Sequence, residues 1–255
     1  MQSKLFYLAG MPRTGSTLLL NILKQNKNFH IEGTSALSDF MWSSLQTGLT
    51  SSFDFLVSSD RFPETIKDIV SSIPSIYYKN VNSKYIIDKS RKWCSLENYN
   101  MLKNNYDANP KIIILTRPVE EVVASFVDLY KKNKKSDDEI SKLLDLKNNR
   151  TIKDSVLSIK DAKNSDGNFL YISYNNLINS TEDQLKKVYS YLEVDYYKHE
   201  LNKITDFKIE TDEAYGLKGL HSINSKIQKR LYNVSLSDAV LKDCYELNKQ
   251  MQLTK

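Results

Sequence analysis

A loop of small and hydroxyl-bearing residues lies near the start of the chain. Its sequence is GMPRTGST, with Gly10 and Gly15 five residues apart and Arg13 between them. The apolar residues 5–9 precede this loop, and a segment with helical periodicity follows it. The backbone amides of a tight turn, together with the start of a helix, form a concave surface of donors that suits an anion. The pattern therefore predicts a strand, an anion-binding loop and a helix.

The spacing of this loop is close to that of the nucleotide-binding loop G-x-x-x-x-G-K-[ST], with one departure. Ser16 stands where that loop has lysine, and the positive charge lies inside the turn, at Arg13. In the nucleotide loop the lysine reaches the β- and γ-phosphates of a nucleoside triphosphate. The departure therefore favours a different phosphate-bearing ligand.

A second candidate anion site begins at Arg117, directly after the apolar residues 111–116. Ser125 follows eight residues later, about two helical turns on, so that it faces back toward Arg117. An arginine fork and a hydroxyl in this arrangement can bind a phosphate group. Together with the first loop, this pair predicts a nucleoside ligand with two separated phosphate-like groups.

Five apolar segments predict strands, at residues 5–9, 29–31, 84–88, 111–116 and 168–173. Helical patterns lie between these strands, and residues 36–80 are expected to contain helices and loops. This alternation predicts an α/β fold of P-loop type, with three α/β/α layers and a central parallel sheet of about five strands. Ligands of such sheets bind beyond the carboxyl ends of the strands. Polar residues at these ends should therefore converge on one edge; they include Arg13, Glu32, Lys89, Arg117 and Tyr174.

Composition limits the class of protein. The chain has 255 residues and a net charge of +5, and we expect one domain over residues 1–255. Basic residues do not form a stripe interleaved with aromatic residues, so nucleic acid is not an expected partner. No apolar run approaches the roughly 20 residues that a membrane span requires. The first residues do not have the pattern of a signal peptide, so we expect a cytoplasmic protein.

The two cysteines, Cys94 and Cys244, are too few and too far apart to indicate a disulfide framework or a metal site. Buried, reduced thiols are the expectation for both. We therefore expect no metal in this protein.

Four motifs occur together along the chain: Pro12-Arg13-Thr14-Gly15-Ser16-Thr17-Leu18-Leu19, Asp88-Lys89-Ser90, Arg117-Pro118 with Ser125, and Tyr174-Asn175-Asn176-Leu177. This combination resembles the sulfotransferase superfamily, in the form of the bacterial-type and protein-tyrosine sulfotransferases. Those enzymes carry a P-R-[ST]-G-[ST]-T-L-L loop, a lysine after a later strand, R-x7-S and a Y-E-D-L box. Here Asn175 and Asn176 replace the acidic pair of the last motif. The resemblance extends through spaced motifs over roughly residues 5–192.

The resemblance implies that the donor substrate is 3′-phosphoadenosine 5′-phosphosulfate (PAPS). Arg117 and Ser125 would bind its 3′-phosphate, and Tyr174 would lie near the adenosine. A late glycine-containing loop would close over the nucleotide through Lys218 and Gly219, with Lys226 and Arg230 as further candidates. The first loop would hold the 5′-phosphosulfate through Pro12, Arg13, Thr14, Gly15, Ser16, Thr17 and Leu18.

Catalysis in such an enzyme is an in-line displacement helped mainly by positioning and electrostatics. Arg13 and Lys89 are expected to neutralise charge on the sulfuryl group and the leaving oxygen. The resemblance suggests Glu32 as the general base, with His30 and Asp39 as alternatives. The acceptor is expected to carry a hydroxyl group, as a peptide tyrosine, a carbohydrate or a small molecule.

Two other functions remain compatible with the sequence. A P-loop kinase or other phosphotransferase would share the first loop and could use Asp88, at a strand end, as a magnesium ligand. A non-catalytic nucleotide- or glycan-binding module could keep the same scaffold. The presence of both Arg13 and Lys89 favours an enzyme over such a module.

Overall fold

Five parallel strands form one sheet at the centre of the computed structural model, which describes residues 3–252. The strands lie in the order β2-β3-β1-β4-β5, so β1 is central and pairs with both β3 and β4. This arrangement confirms the predicted α/β fold class with a central parallel sheet. The strands are β1 (Lys4–Gly10), β2 (Phe29–Glu32), β3 (Tyr85–Lys89), β4 (Ile112–Thr116) and β5 (Phe169–Ser173).

The helices connect the strands and cover the sheet. In chain order the α-helices are α1 (Ser16–Leu23), α2 (Leu37–Leu49), α3 (Phe53–Ser58), α4 (Glu64–Tyr77), α5 (Leu96–Asn105), α6 (Val119–Lys132), α7 (Asp137–Leu144), α8 (Arg150–Lys163), α9 (Tyr174–Asn179), α10 (Thr181–Leu192) and α11 (Asp238–Gln250). Short 3₁₀ turns form at Arg91–Cys94 and Glu213–Tyr215. Among residues 3–252, none of these helices has both the length and the apolarity to cross a bilayer.

The central strand separates two hydrophobic cores. Leu5, Tyr7 and Ala9 pack into the core on one face, whereas Phe6 and Leu8 pack into the core on the other. Successive side chains of a strand point to opposite faces, so an unbroken apolar run requires cover on both sides. The apolar pattern of residues 5–9 thus produces the three-layer arrangement.

A long connection between α10 and α11 contains no helix or strand other than the turn at Glu213–Tyr215. We call its residues 205–232 the closing segment. Side-chain hydrogen bonds attach it to the fold: the Phe207 amide donates to Asn21 Oδ1 (2.7 Å), and Asn133 Oδ1 accepts from the Lys218 amide (2.8 Å). Its path therefore depends on individual side chains instead of strand pairing.

Candidate active site

A cavity of about 770 Å³ lies at the carboxyl edge of the sheet. One wall consists of the loop after β1, residues at the ends of β3 and β4, and the start of α9. The closing segment provides the second wall, to which it contributes Glu210, Leu220, His221, Arg230 and Tyr232. The predicted convergence of strand ends therefore creates an enclosed site.

Two glycines give the first loop its shape. Gly10 has φ +132°, and a Cβ atom there would lie 2.4 Å from the Leu115 carbonyl oxygen. Gly15 has φ +88°, and a Cβ atom would lie 2.9 Å from Cδ2 of Tyr174. Both positions need the left-handed backbone and the close approach that only glycine permits. Gly15 also provides no side-chain cap to α1, so the first amides of the helix are available to an anion.

Most side chains of the first loop line the cavity, but that of Thr14 does not. Of the residues predicted to bind the donor, Pro12, Ser16, Thr17 and Leu18 line the cavity. Thr14 is fully buried, and its hydroxyl donates to the Met11 carbonyl oxygen (2.7 Å). The Thr14 side chain therefore stabilises the loop instead of facing the ligand.

Arg13 connects the loop to the second candidate phosphate site. Its Nε donates to Ser125 Oγ (3.0 Å), and its Nη1 donates to the Leu220 carbonyl oxygen. Arg117 in turn donates through Nη1 to the Arg13 carbonyl oxygen (2.9 Å). The fold thus brings together residues that are more than 100 positions apart in the chain. Arg13 has φ +62°, an uncommon conformation for a non-glycine residue that is often found at functional sites.

Arg117 is rigidly held. Its side chain is 2% exposed, and its Nε donates to Glu121 Oε2 (2.9 Å). Its guanidinium lies 3.9 Å from the centre of the Tyr174 ring, in a cation–π contact. A buried guanidinium with a planar partner and a fixed acid is well oriented to bind a phosphate.

The second candidate phosphate site has an excess of positive charge. Burial lowers the pKa of Arg13, and the nearby charges of Arg230 and Arg117 add to this effect. Burial alone would raise the pKa of Tyr232, but its contact with Ser125 and the charges of Arg117 and Arg13 lower it below the usual value. Such a cluster attracts a multiply charged anion. Tyr232 carries no sequence signal that would have identified it.

Lys89 occupies the end of β3 and forms a buried ion pair with Glu210. The Glu210 side chain is 1% exposed, and it also accepts a hydrogen bond from Thr17 Oγ1 (2.7 Å). Burial lowers the pKa of Lys89, whereas the charge of Glu210 acts in the opposite direction. Sequence reasoning missed Glu210 because the acidic run at residues 210–213 has the composition of an exposed turn.

His221 lines the cavity and lies between two carboxylates. Its Nδ1 lies 3.0 Å from Asp212 Oδ1, and its Nε2 lies 3.3 Å from Glu210 Oε1. Asp212 also accepts from the His221 amide (3.0 Å), so this carboxylate fixes both the backbone and the ring. Burial lowers the pKa of His221 despite the opposing charges of Glu210 and Asp212. Burial thus favours the neutral imidazole, the form in which a histidine can act as a general base.

The sequence matches the model of the Sulfotransferase family over residues 6–198. The chain belongs to this family. A comparison with curated protein sequences finds no match.

Solved sulfotransferase structures share the fold at low sequence identity. The sulfotransferase domain from the curacin biosynthetic pathway is 18% identical, with a TM-score of 0.63 over 100% of this chain and 99% of that domain. The corresponding domain of the Synechococcus PCC 7002 olefin synthase is 19% identical, with a TM-score of 0.60 over 100% and 96%. Mouse sulfotransferase SULT7A1, solved in complex with PAP, is 17% identical, with a TM-score of 0.54 over 99% and 85%. At these identities the likeness concerns the fold alone.

The predicted general bases of this sulfotransferase lie in different surroundings. Glu32 Oε2 is 3.1 Å from His30 Nε2, and neither residue is among those that line the cavity. Glu32 is the last residue of β2 and the register partner of the buried Asp88, and its side chain shares a face of the strand with His30. Asp39 does line the cavity, but it is exposed and forms an ion pair with Lys92.

The late glycine-containing loop reaches the cavity through residues other than those predicted. The Lys218 backbone is hydrogen-bonded on both sides to Asn133, and the Gly219 amide donates to Asp212. Neither Lys218 nor Gly219 lines the cavity, whereas their neighbours Leu220 and His221 do. The two predicted residues hold the loop in place, because their backbone groups are already paired. Lys226 and Arg230 both line the cavity.

Proposed function

We propose that the protein transfers a sulfuryl group from PAPS to an acceptor hydroxyl. The observation that carries this proposal is the contact of Arg13 with both Ser125 and the Arg117 site, which joins the anion-binding loop to a second cationic site in one cavity. A donor with phosphate groups at both ends of a nucleoside matches this pair of sites. Family membership supports the reaction class.

The residues present fit such a donor. The 5′-phosphosulfate would take the loop amides, the Thr17 hydroxyl and Lys89. The 3′-phosphate would take Arg117 and Ser125, with Arg230 and Tyr232 from the closing segment, and the adenosine would lie near Tyr174, Leu18 and Ile178. The separation of the two cationic clusters would select for a nucleotide with both groups.

In the proposed reaction, the acceptor oxygen forms a bond to sulfur while the bond between sulfur and the 5′-phosphate oxygen breaks. The products are a sulfate ester and adenosine 3′,5′-bisphosphate. Negative charge develops on the leaving oxygen, where Lys89 and the loop amides would stabilise it and the charge of Arg13, at the junction of the two sites, would assist. Because these groups are held before the substrate arrives, little reorganisation is needed.

The acceptor hydroxyl must lose a proton during this step. His221 is the best-placed base, since it lines the cavity, Asp212 holds Nδ1, and Nε2 would be free to take the proton once the Glu210 carboxylate turns away. We therefore assign the role to His221 in preference to Glu32, His30 or Asp39. General bases of this kind commonly accelerate a reaction by about 10²–10⁴-fold.

The acceptor would use the part of the cavity farther along α6, α7 and α8. Apolar side chains line this part, including Phe126, Leu143 and Ile152, and Asn149 and Thr151 add polar groups. This mixture favours an acceptor with an apolar body and a hydroxyl that reaches His221. A peptide tyrosine, a carbohydrate and a small alcohol are the candidate classes.

A kinase-like activity is the weaker alternative. It would need Asp88 as a magnesium ligand, but this carboxylate is fully buried and accepts hydrogen bonds from Tyr78 and from Trp93 Nε1 (2.6 Å). Burial raises the pKa of Asp88 to about 6, although these hydrogen bonds oppose the shift. Both carboxylate oxygens are therefore committed to the fold, and Asp88 does not line the cavity.

A transfer assay tests the proposal. The protein is incubated with sulfur-labelled PAPS and a panel of tyrosine peptides, glycans, phenols and alcohols, and labelled products and adenosine 3′,5′-bisphosphate are quantified together. We expect stoichiometric formation of both products with at least one acceptor class. Transfer of labelled phosphate from ATP with Mg²⁺, with no transfer from PAPS to any acceptor, would contradict the proposal.

A further inference from the structure

We propose that Glu210 is an internal competitor for the 5′-phosphosulfate site. In the absence of nucleotide, its carboxylate would occupy the donors that the 5′-group needs, so any ligand with an anionic 5′-group must displace it. Ligands anchored only at the second phosphate site would bind without disturbing Glu210. This inference rests on the proposed function, because it assumes that a 5′-anion binds at the first loop.

The contacts of Glu210 carry the inference. Its carboxylate pairs with Lys89 and accepts from Thr17 Oγ1 (2.7 Å), and Thr34 Oγ1 lies 3.4 Å from the same group. His221 Nε2 is 3.3 Å away. Lys89 and Thr17 are residues assigned to the 5′-phosphosulfate on independent grounds, namely their positions at the end of β3 and at the start of α1. A carboxylate bound to both acts as an anion in an anion site.

The fold makes room for this carboxylate. A Cβ atom on Gly33 would lie 2.5 Å from Glu210 Cγ and 2.4 Å from the Ile209 carbonyl oxygen. Gly33 follows β2 directly, so the absence of a side chain there lets the closing segment approach the sheet edge. A side chain from a residue 177 positions away thus fills the space beside the first loop.

Glu210 lies between two attachment points of the closing segment. The Phe207 amide is bound to Asn21 and the Lys218 backbone to Asn133, so both flanks remain attached to the fold if the carboxylate moves. Rotation of the Glu210 side chain is then the smallest change that frees Lys89 and Thr17. A ligand with a 5′-anion must break the charge-assisted hydrogen bonds of Glu210 before it binds. The free energy needed to break them is large enough to lower the affinity of that ligand measurably.

The consequence is a uniform weakening of ligands that carry a 5′-anion, including the reaction product. Adenosine 3′,5′-bisphosphate and adenosine 5′-monophosphate would both compete with Glu210, whereas adenosine 3′-monophosphate would not. After transfer, return of the carboxylate to Lys89 and Thr17 would promote release of the product. This pattern distinguishes competition from a general electrostatic effect, which would act on all three nucleotides.

Calorimetric titration of the full chain with these three nucleotides tests the inference. In a Glu210→Gln variant, we expect the affinity for adenosine 3′,5′-bisphosphate and for adenosine 5′-monophosphate to rise about tenfold, since a charged competitor becomes neutral. The affinity for adenosine 3′-monophosphate should change less than twofold. A Glu210→Ala variant carries the same prediction if the glutamine variant folds poorly.

Glu213→Gln is the matched control, because it removes the same charge from an exposed residue of the same segment that does not line the cavity. It should leave all three affinities within twofold of native. Equal gains in both variants, or no gain in the Glu210 variants while the native protein binds adenosine 3′,5′-bisphosphate, would overturn this inference alone. Failure of the native protein to bind that nucleotide would remove the proposed function and this inference together.

Discussion

The two walls of the cavity are built in different ways. Strand pairing positions the first wall: β1 lies between β3 and β4, so the loop after β1 is neighbour to Lys89 and Arg117. The closing segment has almost no regular structure and depends on side-chain bonds, such as those of Asn21 and Asp212. In the proposed reaction, the first wall would provide fixed charge for the donor, and the second would provide the groups that change partners.

Arg13→Ala should have the largest effect, because it removes a charge from the fixed wall. We expect kcat/KM for sulfuryl transfer to fall about 10³-fold, at the upper end for loss of one preorganised group at a developing anion. Steady-state kinetics with PAPS measure this loss. Lys186→Ala, an exposed residue of α10, is the control and should retain native kinetics. A loss of less than tenfold for Arg13→Ala would place the key charge elsewhere.

His221→Asn tests the chemistry of the closing segment. We expect turnover to fall about 100-fold, as for loss of a general base. Burial lowers the pKa of His221, so native turnover should drop only when the pH falls below this lowered value, and the variant should lose that acidic limb. A pH–rate profile measures both effects. Glu32→Gln should retain the native profile; the reverse result would return the role of base to Glu32.

His199→Asn tests how the chain leading to the closing segment is attached. His199 Nε2 is 3.0 Å from the Tyr189 hydroxyl, and burial lowers the pKa of His199 to about 4. Because the unfolded state takes up this proton first, the contribution of His199 is fully present above about pH 6.5 and is lost as the pH falls toward 4. Urea unfolding at pH 7 and pH 5 should show the native protein losing about 2 kcal/mol more than the variant.

Asp88, in strand β3 of the first wall, gives the stability of the protein the opposite dependence on pH. Its pKa is raised to about 6 by burial, so the folded state binds this proton first and stability falls as the pH rises from about 4 to 6. This contribution is common to the native protein and the His199 variant and cancels in their difference. An equal loss of stability in both proteins would contradict the assignment to His199.

Ser125→Ala should have the smallest effect. It removes one hydroxyl from the second phosphate site but leaves Arg117 in place. We expect about a fivefold loss of affinity for adenosine 3′,5′-bisphosphate and adenosine 3′-monophosphate, as for one hydrogen bond, and no change for adenosine 5′-monophosphate. Calorimetry measures all three. Equal losses for the three nucleotides would mean that Ser125 does not act at the 3′-phosphate.

The first wall, which strand pairing positions, could be predicted from the sequence, whereas the closing segment, which individual side-chain bonds position, could not. Continuous apolar runs identify β1, β3 and β4, and parallel pairing then brings residues after these strands to one edge. The eight-residue spacing of Arg117 and Ser125 predicts that the two residues lie on the same side, because it corresponds to about two helical turns. These inferences need only local patterns and the topology of a parallel sheet.

The closing segment could not be predicted in this way. Glu210, His221 and Tyr232 line the cavity, but no helical or strand period and no helix cap fixes their positions. Glu32 was also beyond local patterns: its pairing with His30 and its register with Asp88 depend on how β2 is placed in the sheet. Thr14 was predicted to bind the donor, but its hydroxyl donates to the Met11 carbonyl oxygen within the loop.

The central claim is that both walls bind one bisphosphorylated nucleotide. The most direct test is calorimetric titration of the native protein with adenosine 3′,5′-bisphosphate in the presence of a metal chelator. The account predicts one site per chain, with a dissociation constant of about 1 μM or tighter and an affinity that falls as salt is added. No binding under these conditions, with binding of ATP that requires Mg²⁺, would contradict it.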